Sequence, residues 1–263
     1  MDKSERLKNI LRGLKKVVIA YSGGLDSTFL LKVALDTLGK ENVLAVTGRS
    51  KTYPISEYRE AARIAKRIGA RHVTITTGEL DLKEFKSNPE NRCYYCKKEL
   101  FDKLTRLKGR HRMNHVLDGT NYDDLKDIRF GMKAAKELNV QHPLLLARIT
   151  KGEIRKYSKR LNLPTWDKPS FACLASRIPF HSVITKRDLV RIEKAENILR
   201  KMGFRQVRLR LHNDIARLEL SKKDFKKALK LKDSITKRLK SLGFIYVTLD
   251  LEGYRTGSMH EAM

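Results

Sequence analysis

Val17-Val18-Ile19-Ala20-Tyr21-Ser22-Gly23-Gly24-Leu25-Asp26-Ser27 is the stretch that decides the fold. Its first five residues are apolar and rich in β-branched side chains, the pattern of a buried strand. The run ends in a glycine pair, and Thr28-Phe29-Leu30-Leu31-Lys32-Val33-Ala34-Leu35 then reads as a buried helix. A strand therefore feeds a helix through a turn of small residues. Such a turn lets backbone N–H groups converge, and the helix N-terminus adds partial positive charge, so the turn can cradle a phosphate. Ser22 and Ser27 would add hydroxyl donors, with helix capping as their plainer role. Asp26 would hold Mg²⁺ or orient phosphate. The spelling is neither GxxxxGK[ST] nor GxGxxG, and neither pattern occurs in the chain.

Outward from this turn, strand-like and helix-like runs alternate, which predicts βαβ units and a parallel sheet. Strands are expected at 17–21, 42–47, 71–76 and 115–118, and helices at 27–38, 56–68, 97–107, 129–138 and 151–161. Periodicity stops over 162–182, a stretch with three of the six prolines and the single Trp, which reads as an ordered loop. A distinct module follows, with a basic helix over 186–202, alternating strands at 206–211, 215–220 and 245–249, and a helix between them. Ser221 and Asp224 are spaced as a variant capping box for that helix. The sequence Gly-Phe after a helix and before a strand occurs twice, at Gly203-Phe204 and Gly243-Phe244. The expected architecture is α/β, with a parallel-sheet domain over 1–182 and a small αββαβ domain over 183–263.

The 263 residues are 41% hydrophobic and 33% charged, which suits a soluble globular protein. No apolar run is long enough to span a bilayer, and the N-terminus lacks a signal-peptide core, so a cytoplasmic location is expected. The net charge of +27, from 57 Lys and Arg against 30 Asp and Glu, would attract polyanions and steer nucleotides. An RNA substrate is therefore one reading. The basic residues are spread along the chain, which does not favour it. Three cysteines are too few for a disulfide scaffold.

Asp118-Gly119-Thr120-Asn121-Tyr122-Asp123-Asp124 follows the fourth strand, at the sheet edge where ligands of open parallel sheets bind. Its carboxylates suit Mg²⁺-pyrophosphate, or serve Asx turns. Cys93, Cys96 and Cys173 admit three readings: buried thiols, a zinc site short of a fourth ligand, or three thiolates on an iron–sulfur cluster. Arg177 offers a fork for phosphate. Arg208 and Arg210 share one face of a strand and can reach one anion, unless that face is merely solvated. Glu196 and Glu219 could hold a divalent cation.

SGGLDS resembles the signature of the PP-loop ATP pyrophosphatases, with their adenine nucleotide α-hydrolase-like fold. Together with GTNYDD, NRCYYC, KPSFACLASRIP, DIARLEL and LDLEGYRTGSM, it resembles the LarE family across Val17 to Met259. That family's ATP-dependent sulfur transferases build the nickel-pincer nucleotide cofactor. The resemblance implies ATP and Mg²⁺ at Ser22, Gly23, Gly24, Asp26, Ser27, Gly119, Asn121 and Asp123. It implies a small nucleotide substrate, adenylated at a carboxylate of a pyridinium biscarboxylate mononucleotide, with its phosphate on Ser176, Arg177, Arg208 and Arg210. It makes Cys173 the sulfur-delivering position, and Asp26 and Cys173 the catalytic pair. In one branch that cysteine is sacrificed; in the other, three cysteines hold a [4Fe-4S] cluster fed by a sulfide donor. Cys93 and Cys96 beside Cys173 match the cluster branch. Glu196 and Glu219 match a metal pair, and members tend to form homo-oligomers. A cluster-dependent tRNA thiolase and a non-catalytic nucleotide sensor are the competing expectations.

Overall fold

A computed structural model describes residues 2–126, 130–169 and 172–255. In chain order the elements are α1 (Lys3–Leu14), β1 (Val17–Ala20), α2 (Leu25–Leu38), β2 (Val43–Arg49), α3 (Ile55–Arg67) and β3 (Arg71–Thr76). Next come α4 (Lys83–Lys86), α5 (Arg92–Arg110), β4 (His115–Leu117), α6 (Phe130–Glu137), α7 (Pro143–Leu146) and α8 (Lys151–Arg160). The chain continues with α9 (Lys186–Lys201), β5 (Val207–His212), β6 (Ile215–Leu220), α10 (Phe225–Lys230), α11 (Lys232–Lys240) and β7 (Tyr246–Leu249).

The four strands of the first sheet run parallel in the order β3-β2-β1-β4. Val17 pairs with Val43 on one side and His115 on the other, so β1 is central. Alternate β1 residues feed opposite cores, as the two-residue strand period requires. Val17 and Ile19 pack with Leu7, Phe29, Ala61 and Ile154 from α1, α2, α3 and α8. Val18 packs with Phe101, Leu104 and Ala134 from α5 and α6. Both faces are covered, which is why β1 reads as an unbroken apolar run.

The second sheet is mixed, with β6 antiparallel to β5 and parallel to β7. The two Gly-Phe copies are placed alike: each Phe is buried behind its helix, and their strands β5 and β7 flank β6 on its two sides.

The chain groups into two compact units, residues 1–82 with 91–171 and residues 83–90 with 172–263. Residues 172–182, expected with the parallel sheet, thus group with the C-terminal module, which also takes in 83–90. Within this unit the Asn88 amide donates to the carbonyls of Ile178 (3.3 Å) and Pro179 (2.6 Å), and Ile184 N–H donates to Lys86 O (2.9 Å).

Three local expectations are corrected. Helix α5 starts at Arg92, not 97, and so takes Cys93 and Cys96 into its first turn and a half. Ser221 makes no side-chain cap bond; a 3-10 turn over Lys222–Asp224 leads into α10 instead. The single helix expected between β6 and β7 is two, α10 and α11, broken at Leu231. No described helix is long and apolar enough to cross a membrane.

Candidate active site

The Ser22–Ser27 turn is built as a nest. Gly23 sits at φ +64°, and a Cβ there would lie 2.5 Å from the Ala61 Cβ, so only glycine fits both the angle and the space. The hydroxyls of Ser22 and Ser27 are 3.1 Å apart, and Gly24 N–H donates to Ser22 Oγ at 3.4 Å. Ser27 Oγ also accepts from Ser22 N–H and donates to Gly24 O. Asp26 occupies the first turn of α2, where the helix dipole stabilises negative charge. Gly23→Ala is expected to lower ATP turnover by about 10²-fold, because the loop must shift by the better part of an ångström. Steady-state pyrophosphate release measures it.

Gly119 brings the 118–124 loop against this nest. A Cβ on it would lie 3.0 Å from Ser27 N, so the backbones abut. Asn121 Nδ2 reaches Asp26 Oδ1 at 3.5 Å. The neighbouring carboxylates hold the loop's own shape. Asp118 accepts from Thr120 N–H and Oγ1–H, and pairs with His142 Nδ1 at 2.6 Å. Burial pushes the Asp118 carboxyl up, yet the bond and charge of His142 prevail and hold it below the usual carboxylate value. Asp124 accepts from Asn121 N–H, and Asp123 accepts from Lys151 N–H at the start of α8. The turn-building reading therefore describes much of this cluster.

In the C-terminal unit, Cys173 opens a 3-10 turn over Leu174–Arg177. Its carbonyl accepts three donors: Ser176 N–H (3.0 Å), Ser176 Oγ–H (2.8 Å) and Arg177 Nη1–H (3.1 Å). The backbone under the thiol is thus clamped, while the side chain stays partly exposed. Arg177 is only 1% exposed, and its Nε and Nη2 donate to both oxygens of the fully buried Glu196. Glu196 also accepts from Arg200 and from Leu209 N–H. Arg210 donates to Glu219 Oε1 (2.9 Å) and to Ser176 O (2.6 Å), and Arg208 Nη2 to Tyr254 Oη (3.3 Å).

The β5 arginine face is therefore buried, not solvated. Glu196 and Glu219, expected as a cation pair, each accept hydrogen bonds from arginines in this structure. Three buried arginines, Arg177, Arg208 and Arg210, meet two buried glutamates, so the group keeps surplus positive charge. Burial and then the charge of Arg177 pull the Arg208 guanidinium below its ordinary value.

Cys93 and Cys96 lie three residues apart on α5, hence on one face, at the helix end that favours anionic groups. Neither cysteine is in a disulfide, nor is Cys173. Among the described residues no group of three or more His, Cys, Asp or Glu is arranged to hold a metal ion. Ser170 and Phe171, and the end of the LDLEGYRTGSM stretch at 256–259, lie outside the described residues. No local pattern in the sequence marks Tyr53, Lys168 or Tyr254 as site residues, since their partners are 31, 145 and 46 residues away in the chain.

Residues 5–125 match the NAD synthase family. An uncharacterised protein of Synechocystis is 41% identical over all of this chain and 98% of its own. The pyridinium-3,5-bisthiocarboxylic acid mononucleotide synthase of Lactiplantibacillus plantarum is 36% identical over 99% of this chain and 95% of its own. An NH₃-dependent NAD⁺ synthetase of Methanococcus aeolicus is 28% identical over 57% of this chain and 61% of its own. The likeness to NAD synthetases covers the parallel-sheet region, whereas the synthase matches end to end. The loop, the sheet and these relatives define an ATP-using enzyme of the PP-loop class. Within that class the chain belongs to the LarE family of ATP-dependent sulfur transferases.

Proposed function

We propose that this enzyme adenylates a carboxylate of a pyridinium biscarboxylate mononucleotide and replaces AMP with sulfur, in nickel-pincer cofactor assembly. The end-to-end match to the Lactiplantibacillus synthase carries the reading. Carboxylate oxygen attacks the α-phosphorus of ATP, and the α–β bridge breaks with its electron pair leaving on pyrophosphate. Sulfide then attacks the acyl carbon with its own electron pair, and the carbon–oxygen bond to AMP breaks to give a thiocarboxylate. A bare carboxylate is a poor electrophile, which is why ATP is needed.

In this reading the Gly23 and Gly24 N–H groups and the Ser22 and Ser27 hydroxyls bind the leaving pyrophosphate. Asp26 holds its Mg²⁺, with Gly119, Asn121 and Asp123 completing the nucleotide site. Ser176, Arg208 and Arg210 bind the phosphate of the substrate, while Arg177, held on Glu196, adds its charge; the surplus charge of the arginine group supports this, since a phosphate dianion would balance it. Cys173 stands at the sulfur-delivering position, its backbone fixed by Ser176 and Arg177.

The sulfur source separates two arrangements. Cys93, Cys96 and Cys173 would hold a [4Fe-4S] cluster; three soft thiolates, two of them on one helix face, suit iron. Such a cluster would supply a renewable sulfide, loaded by a separate donor, so that the polypeptide survives turnover. The enzyme would act as a cytoplasmic homo-oligomer. Protein purified without oxygen is expected to contain about four irons and about four acid-labile sulfides per chain. Cys93→Ser is expected to lose both, together with multiple turnover. Iron-free protein after reconstitution, still active for one turnover, would return Cys173 to the sacrificial role.

A further inference from the structure

The nucleotide loop is tied from behind through two successive carbonyls. Tyr53 Oη donates to Ser22 O at 2.6 Å, and Lys168 Nζ donates to Gly23 O at 3.4 Å. In a trans peptide the N–H points away from the C=O of the same unit. Fixing these carbonyls on one side aims the Gly23 and Gly24 N–H groups to the other. The Gly24 N–H does face the Ser22 hydroxyl, which in turn meets Ser27 Oγ. A Gly-Gly link otherwise has little to stop its peptide turning over, because glycine accepts both signs of φ. A turned peptide would present a carbonyl lone pair to the phosphate.

The lysine brace is itself anchored. Lys168 Nζ lies 2.9 Å from Glu57 Oε2 and 2.9 Å from Glu60 Oε2, and its side chain is only 13% exposed. Arg155 holds the carbonyls of Trp166 (2.8 Å) and Lys168 (3.1 Å). Glu57 and Glu60 stand on α3, the helix whose Ala61 lies under Gly23. One ammonium between two carboxylates offers no net positive charge to a phosphate, so orientation, not attraction, is what Lys168 supplies. Burial and Glu57 push the Tyr53 phenol up, so it stays a proton donor at neutral pH.

We propose that Lys168 and Tyr53 are positioning residues of the nucleotide site, a rear brace that orients the loop's N–H groups toward the pyrophosphate moiety of ATP. This rests on the reading of the loop as the ATP site. The test is calorimetric binding of inorganic pyrophosphate, ATP and adenosine to the full chain. Tyr53→Phe and Lys168→Met are each expected to weaken pyrophosphate and ATP by about tenfold, the loss of one directed hydrogen bond. Lys168→Arg is expected to recover most of the affinity, and adenosine binding should not change in any variant. Wild-type affinity for pyrophosphate in both Tyr53→Phe and Lys168→Met overturns the brace, as does an equal loss for adenosine, which would mean general damage. Tyr53→Phe removes only a hydroxyl, so it decides the matter should Lys168→Met not fold. Wild-type protein that binds neither pyrophosphate nor ATP overturns the loop reading itself, and the brace with it.

Discussion

Cys173→Ala is expected to abolish thiocarboxylate formation, by on the order of 10³-fold or more, while ATP-dependent pyrophosphate release from the same substrate continues. The two half-reactions use different residues. In the proposed mechanism adenylation rests on the Ser22–Ser27 nest and Asp26, and sulfur delivery on the thiol position, which lies in the other compact unit. The 3-10 turn behind Cys173 is held through main-chain groups: its carbonyl accepts the Ser176 and Arg177 donors whatever the side chain is. Loss of the thiol should therefore leave the turn intact. Product analysis alongside a pyrophosphate assay reads both halves at once. Full sulfur transfer by the alanine variant would remove Cys173 from the mechanism, and loss of both halves would point to structural damage.

Arg177→Met is expected to destabilise the protein by about 3–5 kcal/mol, because it leaves Glu196 buried with part of its compensation gone. Arg200 still reaches one Glu196 oxygen, and Leu209 N–H the other, so the carboxylate is not abandoned entirely. The double change Arg177→Met with Glu196→Gln should regain a good part of the loss, since no charge is then stranded. Denaturant titration of the two variants against wild type measures both. A loss under about 1 kcal/mol would mean that the pair matters little to folding. The same arginine faces Ser176 and the Cys173 carbonyl, so substrate affinity should fall together with stability.

How much of this was legible in the sequence depends on distance along the chain. The β1 strand, the glycine pair and α2 are contiguous, and the apolar run leaves little choice. Helix α1 carries a helical stripe of Leu7, Ile10, Leu11 and Leu14, but its charged remainder obscures the pattern in the sequence. The start of α5 is not announced by the sequence, because Cys93, Tyr94 and Tyr95 are weak helix formers, a propensity that tertiary packing overrides. Arg208 and Arg210 were placed on one face by the strand period alone. That this face is buried could not be read, since Glu196 and Arg177 meet 19 residues apart through the fold. The Lys168 contact with Gly23 spans 145 residues, and no local pattern announces it. Where one residue type suited two roles, as at Asp118 and Asp124, only the observed bonds could choose.

The short strap of residues 83–90 has a genetic meaning. It is encoded inside the stretch for the parallel-sheet unit yet folds with residues 172–263, where the fully buried Asn88 ties the carbonyls of Ile178 and Pro179. The C-terminal unit is therefore not one contiguous stretch of the sequence. No one pair of cut sites liberates it intact, and recombination at a boundary near 171 would hand on an incomplete body. An exchange of the C-terminal unit between relatives would have to carry residues 83–90 along with 172–263 to hand on the whole body.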